Sequence, residues 1–309
     1  MIGKIGIVTV LYKSESVLPE FFESLEAQTY KNVILYIVDN KSPDNSLAIS
    51  EAYKKTSTFE VVVIANNDNY GVAKGNNIGI KRALAVDCDY VLLANNDITF
   101  KSNTIQDLLT KAKSVNADLS VPKIHIAGTN LIWFAGGKFL KRNGLNIHIG
   151  YLENDNGQYD KMKQIDSGQT CFMLTKSEVF NSVGLMDENY FVYWDDTDFI
   201  HRARKQGKSL WYLPSVVIKH KEGTSTGVRS DFSIYYLYRN LVYFTLKNRA
   251  PVYATYVLIV NIVFHFTKNL IFWNFKQWKI GISAYRDGFK LFYNRRGYIR
   301  TRGVEVGIC

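Results

Sequence analysis

Four stretches of this 309-residue chain hold residue types at spacings that chemistry can use. The densest is Tyr193-Trp194-Asp195-Asp196-Thr197-Asp198, with three carboxylates in four positions. On a helix, Asp198 and Arg202 are i,i+4 neighbours and form an ion pair. Asp195 and Asp196 are then left at the helix start, where the macrodipole favours anions. They are either a solvated cap or a general base, which must lie within reach of the hydroxyl it deprotonates. Asn95-Asn96-Asp97 follows a strand-like run. It is either an Asx turn or an oxygen site for a hard cation such as Mg²⁺, which takes one or two carboxylates plus substrate phosphates. His220, in Ile218-Lys219-His220-Lys221, is a structural histidine or a metal ligand through a neutral ring nitrogen. Asn69–Gly79 places Gly71, Gly75 and Gly79 four apart at a helix start. The glycines permit close backbone approach, and a helix start offers N–H groups to an anion. A tight turn with close helix packing has the same spacing. The stretch is not G-x-G-x-x-G, and it follows the third strand rather than the first.

These residues need elements to position them. Ile5–Val10, Val33–Val38, Glu60–Ile64 and Tyr90–Ala94 are short apolar runs that predict strands. Between them, Ser14–Gln28, Leu47–Lys55 and Lys74–Val86 have helical spacing. Strands alternating with helices predict an α/β fold with a mostly parallel sheet covered on both faces. Ligands of such sheets sit at the carboxyl ends of the strands. The polar clusters there are Leu11-Tyr12-Lys13, Asp39-Asn40-Lys41-Ser42 and Asn95-Asn96-Asp97. Further on, Leu119–Ile126, Gly168–Leu174 and Ser209–Leu213 read as strands, and Asp195–Gln206 and Ile234–Leu246 as helices.

Charge separates the chain into two regions. Residues 1–225 carry 25 Lys/Arg and 25 Asp/Glu; residues 226–309 carry 13 Lys/Arg against three acids. The whole formal net charge of +10 therefore lies in the last 84 residues, with 19 of the 43 aromatics. A neutral body with a basic tail speaks against a nucleic-acid coat. At 47% hydrophobic with five prolines, the chain can bury a core and is not disordered. Cys88, Cys171 and Cys309 form no CxxC pair and suggest a reducing compartment. Met1-Ile2-Gly3-Lys4 leads directly into a strand, without the pattern of a signal peptide.

Taken together, the four stretches resemble a family 2 glycosyltransferase of the GT-A fold over roughly residues 5–245. Val8-Thr9-Val10 is similar to the family's opening strand, and Asp39-Asn40 with Ser42 and Asp44 to its base-recognition loop. Asn69–Gly79 resembles the N-x-G-x-a-x-G-x-N-x-G signature, and Asn95-Asn96-Asp97 occupies the place of the D-x-D metal motif. Asn stands at its first position, as in rhamnosyltransferase-like members, so only Asp97 is carried over as a ligand. Trp194-Asp195-Asp196 looks like the catalytic acid motif, and galactofuranosyltransferases share that likeness. His220, followed by Gly223 and Ser225, resembles the downstream histidine of the metal and diphosphate site. Tyr235–Asn240 is similar to the Y-Y-x-x-R-N segment of the rhamnosyltransferase-like branch.

The resemblance implies an inverting, metal-dependent glycosyltransferase. Asp196 would be the base and Asp195 would orient acceptor or donor. Thr9, Val10, Tyr12, Asp39, Asn69, Gly71, Lys74, Gly75, Asn76, Asn95, Asn96 and Asp97 would hold a dTDP- or UDP-linked sugar. Asp97 and His220 would hold Mg²⁺ or Mn²⁺. Trp194, Tyr236, Arg239 and Asn240 would meet a lipid-linked saccharide acceptor. Rhamnose is the favoured sugar, with galactofuranose or a hexosamine as alternatives. A non-catalytic nucleotide-sugar-binding protein is the competing class.

Residues 1–228 are expected to form the catalytic domain and 229–309 a helical, membrane-associating region. Ala250–Thr267 is uncharged over 18 residues, the lower edge of a spanning length. Asn261, His265, Lys268 and Asn269 form a polar stripe, which predicts an amphipathic helix in the membrane interface. Trp273, Trp278, Tyr285 and Tyr293 among Arg and Lys fit a headgroup-level belt. The expected location is cytoplasmic, on the inner face of a bacterial cell membrane. A packed helical subdomain or a homodimer contact is the alternative use of the tail.

Overall fold

Short runs of Ile, Val and Leu build the sheet centre, because a strand covered on both faces needs no polar side. In the computed structural model, which describes residues 3–140, 142–221 and 230–294, these runs become parallel strands. The chain forms two units, residues 1–228 and 229–309. In the first, β1 (Ile5–Leu11), β2 (Val33–Asp39), β3 (Glu60–Ala65) and β4 (Tyr90–Ala94) lie in the order β4-β1-β2-β3. Helices α1 (Leu18–Glu26), α2 (Ser46–Thr56) and α3 (Gly71–Ala85) connect them. Leu11 pairs with Asp39, and Asp39 with Ala65, so three strand ends finish level. Ile7, Leu35 and Leu92 are fully buried, each contributing roughly 1.5–3 kcal/mol of burial.

The rest of this unit is mixed. β5 (Ile98–Phe100), α4 (Thr104–Ser114), β6 (Leu119–Ile126) and β7 (Ile132–Phe134) come first. A small hairpin of β8 (Gly137–Phe139) and β9 (Asn146–His148) follows. Then come β10 (Lys163–Gln164), β11 (Phe172–Lys176), α5 (Ser177–Val183), α6 (Asp195–Lys205) and β12 (Leu210–His220). β11 runs antiparallel between β4 and β6, and β12 runs parallel to β6.

Two sequence expectations shift here. β11 begins at Phe172 rather than Gly168. β12 does not stop at Leu213 but continues to His220. Pro214 has no N–H for the ladder, and the register shifts between Leu213 and Val217 to absorb it. That extension pairs His220 with Ile98, next to Asp97.

The second unit contains α7 (Asp231–Asn248), α8 (Pro251–Ile271) and α9 (Phe275–Tyr293). Ser230 and Asn274 cap α7 and α9, each side chain accepting a backbone N–H. Gly288 lets α9 lie against α7, since a Cβ there would come within 2.5 Å of the Arg239 carbonyl oxygen. Most of the polar stripe of α8 packs inward. Asn261, His265 and Asn269 are buried, while Val263, Phe264 and Ile271 are exposed. The reason is local: His265 packs over Gly281 and against Tyr238 and Tyr285, and Asn269 donates to the His265 carbonyl at 2.8 Å. Gly223, Ser225, Arg295, Arg296, Arg300 and Arg302 lie outside the described residues.

Candidate active site

Polar side chains bind the carboxyl ends of the strands to one another. Asn96 Nδ2 donates to the Val10 carbonyl at 2.8 Å, joining the ends of β4 and β1. Asn40 Nδ2 donates to the Gly71 carbonyl at 3.0 Å, and its Oδ1 accepts from Asn66 Nδ2 at 2.9 Å. Beside them Asp39 is buried, with Oδ2 accepting the Ser42 N–H at 3.1 Å. Asp39 Oδ1, Thr9 Oγ1, Asp195 Oδ2 and His220 Nδ1 are buried without a hydrogen-bond partner among the described residues. An unsatisfied buried polar group costs about 1–3 kcal/mol, more when charged. Orphan hydroxyls also occur away from this end, at Ser120 and Thr175, so the ionisable groups carry the weight. Tyr12 and Asn95 are exposed at the rim; Val10 and Lys74 are half-buried and Asn76 is buried.

The glycine-rich segment turns out to serve close packing. Gly75 and Gly79 seat α3 on β1: a Cβ at Gly75 would lie 2.7 Å from Val10 Cγ1, and one at Gly79 would overlap Val8. Gly71 has φ +77, and a Cβ there would overlap the Phe191 carbonyl, 2.9 Å from its carbon. The N–H groups that open α3 are not all free for an anion. Gly71 N–H donates to Asn69 Oδ1 at 3.0 Å and Val72 N–H to the Phe191 carbonyl at 2.7 Å. Lys74 Nζ lies 3.8 Å from the Tyr70 ring centroid, a cation–π contact.

The acidic motif is presented by a strained turn. Tyr193 and Trp194 both have left-handed backbones, φ 62 and 69, immediately before α6. That conformation costs a non-glycine residue roughly 1–2 kcal/mol and persists only where its surroundings fix it. Here both flanks are fixed. Asn77 exchanges two hydrogen bonds with Met186: Nδ2 donates to its carbonyl at 2.9 Å and Oδ1 accepts its N–H at 3.0 Å. After the turn, Asp198 N–H donates to the Trp194 carbonyl at 2.8 Å. Arg202 donates to Asp198 Oδ2 at 2.8 Å, the pair its spacing implied, and to the carbonyls of Val183 and Leu185.

Asp195 and Asp196 are thereby held where they do not ionise easily. Burial raises both pKa values, and the neighbouring carboxylate raises Asp195 further. Asp196 receives lowering hydrogen bonds from Thr197 and the Thr170 backbone, so burial outweighs them. Paired carboxylates pushed up by a shared environment are a recurrent property of reactive sites.

Asp97 and His220 converge from β4 and β12. His220 Nε2 lies 3.2 Å from Asp97 Oδ1, and the Lys221 N–H donates to the Asp97 carbonyl at 2.8 Å. His220 Nε2 and Asp97 Oδ1, side by side, are the nitrogen and oxygen donors that a divalent cation could share with diphosphate and water oxygens. Among the described residues, no group of three or more His, Cys, Asp or Glu side chains is gathered for a metal. Burial raises the pKa of the Cys171 thiol, and so do the nearby charges of Asp97 and Asp196. The Cys171 carbonyl accepts the Asn95 N–H at 2.9 Å.

Sequence reasoning missed several of these positioners. Asn77 was inside the glycine motif without a role, and Phe191 acts through its backbone. Trp133 lies edge-on to His220 and His148, each at 4.6 Å between ring centroids. Of the proposed acceptor residues, Trp194 is in this site. Tyr236, Arg239 and Asn240 belong to the second unit, where Arg239 and Asn240 are buried and Arg239 Nε donates to Asn240 Oδ1 at 2.7 Å.

A Rossmann-like sheet with these strand-end polar residues, an Asp–His pair and a buried acid pair defines a GT-A glycosyltransferase domain. Residues 6–184 match the family "Glycosyl transferase family 2", and the chain belongs to that family. The chain is similar to the Haloferax volcanii low-salt glycan biosynthesis hexosyltransferase Agl10, 24% identical over 254 residues, covering 78% of this chain and 75% of that one. It is also similar to the Mycobacterium tuberculosis N-acetylglucosaminyl-diphospho-decaprenol L-rhamnosyltransferase, 25% identical over 245 residues, 74% of this chain and 79% of that one. Among solved structures, GalNAc-T7 with UDP, GalNAc and Mn²⁺ shares the fold at a TM-score of 0.61 and 14% identity, over 78% of this chain and 48% of that one. The chain is a glycosyltransferase enzyme.

Proposed function

We propose that the chain transfers a sugar, with rhamnose the first candidate, from a dTDP- or UDP-linked donor to a lipid-linked saccharide acceptor, with inversion. The observation that carries the reading is the Asp195–Asp196 pair on its strained turn, where burial raises both carboxyl pKa values. Asp196 takes the acceptor hydroxyl's proton as that oxygen attacks the anomeric carbon on the face opposite the leaving diphosphate. Its raised pKa makes it a stronger base than an exposed carboxylate. Asp195, the more buried of the two, stays protonated and donates a hydrogen bond that orients a sugar hydroxyl. Asp39 Oδ1, buried without a partner among the described residues, accepts from the pyrimidine ring. Asp97 and His220 would hold Mg²⁺ or Mn²⁺, which when bound neutralises charge on the leaving diphosphate.

The mycobacterial relative's name supports a polyprenyl-diphosphate saccharide as acceptor and rhamnose as donor sugar. The bound UDP and Mn²⁺ of GalNAc-T7 support a nucleotide sugar and a divalent ion. A panel of nucleotide sugars assayed for metal-dependent hydrolysis and transfer tests the reading. Donor binding with no turnover on any sugar would favour a binding protein and overturn it.

A further inference from the structure

Helix α8 has the polarity of a helix turned inside out. Asn261, His265 and Asn269, spaced by four, point into the second unit and are 6, 3 and 4% exposed. They are satisfied there: Asn261 Nδ2 donates to the Val257 carbonyl at 2.8 Å, and the His265 ring packs 4.3 Å from that of Tyr238. The opposite side is apolar and open. Val252, Ile259, Val263 and Leu270, spaced seven, four and seven, form one stripe that is 56–86% exposed. The stripe continues past the helix end into Phe272 and Trp273, 72 and 78% exposed. Only 33% of the most apolar 18-residue stretch, of mean hydropathy 1.4, is buried within the protein. A core helix of a water-soluble fold would be mostly buried.

We propose that this outward face of α8 seats in the anionic leaflet of a lipid bilayer. Three observations select lipid as the occupant. First, the contiguous apolar face ends in exposed Phe272, Trp273 and Trp278, the aromatic composition of a membrane interface. Second, Phe264, Thr267, Lys268, Ile271 and Phe272, at the end of α8, line a shallow, open groove. Its walls are apolar and suit an acyl chain, while exposed Lys268 at its edge suits an anionic headgroup. Third, the +10 net charge of residues 226–309 complements an anionic leaflet, whereas a second copy docked on this face would bring two such segments together.

The helix lies in the leaflet and does not cross it. Its neighbour α9, which packs on it through Trp278 against Phe266 and Gly281 against His265, carries Lys276, Lys279, Arg286, Asp287 and Lys290. Those charges keep the pair at the surface.

This inference goes beyond glycosyl transfer and stands without it. The test uses the full chain and vesicles of phosphatidylcholine with or without phosphatidylglycerol. Wild type should co-sediment with the anionic vesicles, less so in high salt, and lipids brominated on their acyl chains should quench its tryptophan fluorescence. Phe264→Gln combined with Ile271→Gln changes exposed positions only. It should weaken vesicle binding by at least about tenfold, the effect of losing roughly two methylenes of insertion, with melting temperature unchanged. Asn261→Leu, on the buried side, should leave vesicle binding intact. Failure of wild type to bind anionic vesicles, or wild-type binding by the double variant, would overturn the proposal. So would a dimer of wild type that the double variant converts to monomer, which would assign the face to a second copy. Because no sugar donor enters the assay, its outcome is independent of the catalytic reading.

Discussion

Replacing Gly71 with Ala should loosen the catalytic turn from a distance of more than a hundred residues along the chain. Two effects add at that position. A side chain at φ +77 costs roughly 1–2 kcal/mol. The new Cβ also overlaps the Phe191 carbonyl, which has to move away from the Val72 N–H it accepts at 2.7 Å; losing that bond costs about 1 kcal/mol. The sum, about 2–3 kcal/mol, corresponds to a drop of roughly 4–12 °C in melting temperature for a domain of this size. Activity should fall further than stability suggests, because Phe191 lies two residues before the Tyr193–Trp194 turn that aims the acids. A displacement near 1 Å at a reacting group costs on the order of 10²-fold, so kcat should fall by about that factor. Gly128→Ala is the control: its φ is +75, but a Cβ there meets nothing within 4 Å. It should lose only the backbone contribution and keep full turnover. Thermal melting and steady-state transfer kinetics of both variants decide the matter. A Gly71→Ala enzyme that melts early yet turns over normally would refute the idea that this carbonyl contact positions the acids.

Asp196→Asn should keep the fold and donor binding while kcat drops about 10²–10⁴-fold, the range for a lost general base; near-normal turnover would remove Asp196 from that role. Asp195→Asn should raise stability at neutral pH. The folded pKa of Asp195 lies above its unfolded value, so its contribution is fully present in acid and is lost as pH rises past about 4 toward the raised value, at about 1.4 kcal/mol per unit. Wild type and variant should therefore melt alike near pH 4 and diverge toward pH 7, and equal melting at both would contradict the burial. Asn77→Ala removes both bonds to Met186, and should cost about 2–3 kcal/mol with a lower kcat and little change in donor affinity by calorimetry. His220→Ala should raise the Mn²⁺ concentration needed for half-maximal donor hydrolysis; an unchanged metal titration would free His220 of that assignment.

The parallel half of the fold was legible because each strand there is a short apolar run between polar turns. β1, β2 and β3 differ from expectation by one residue at an end. Legibility declined where long-range contacts override local pattern. The run Ser209–Leu213 ends at Pro214, and pairing with β6 on both sides of that proline carries the strand on to His220. α9 was not identified as a helix, because much of its packed side is small: Gly281, Ala284 and Gly288 are buried, whereas Phe275 and Tyr293 are exposed. The amphipathic period of α8 was legible, but not that its polar stripe packs inward, since hydropathy measures period and not direction. At the site, the acids, Asp97, His220 and the glycines were identifiable by type and spacing. The clamps were not, because Phe191 acts through its carbonyl and Asn77 through a partner more than a hundred residues away.

The buried acid pair and its left-handed turn also bear on how this protein evolves in the laboratory. Both features lower stability, and the first is relieved by a single change, Asp195→Asn. A library of this chain sorted for heat resistance alone will therefore enrich variants that have shed the very groups assigned to transfer. Selection has to be imposed on turnover and thermal survival together, or the hardiest descendants will be the inert ones.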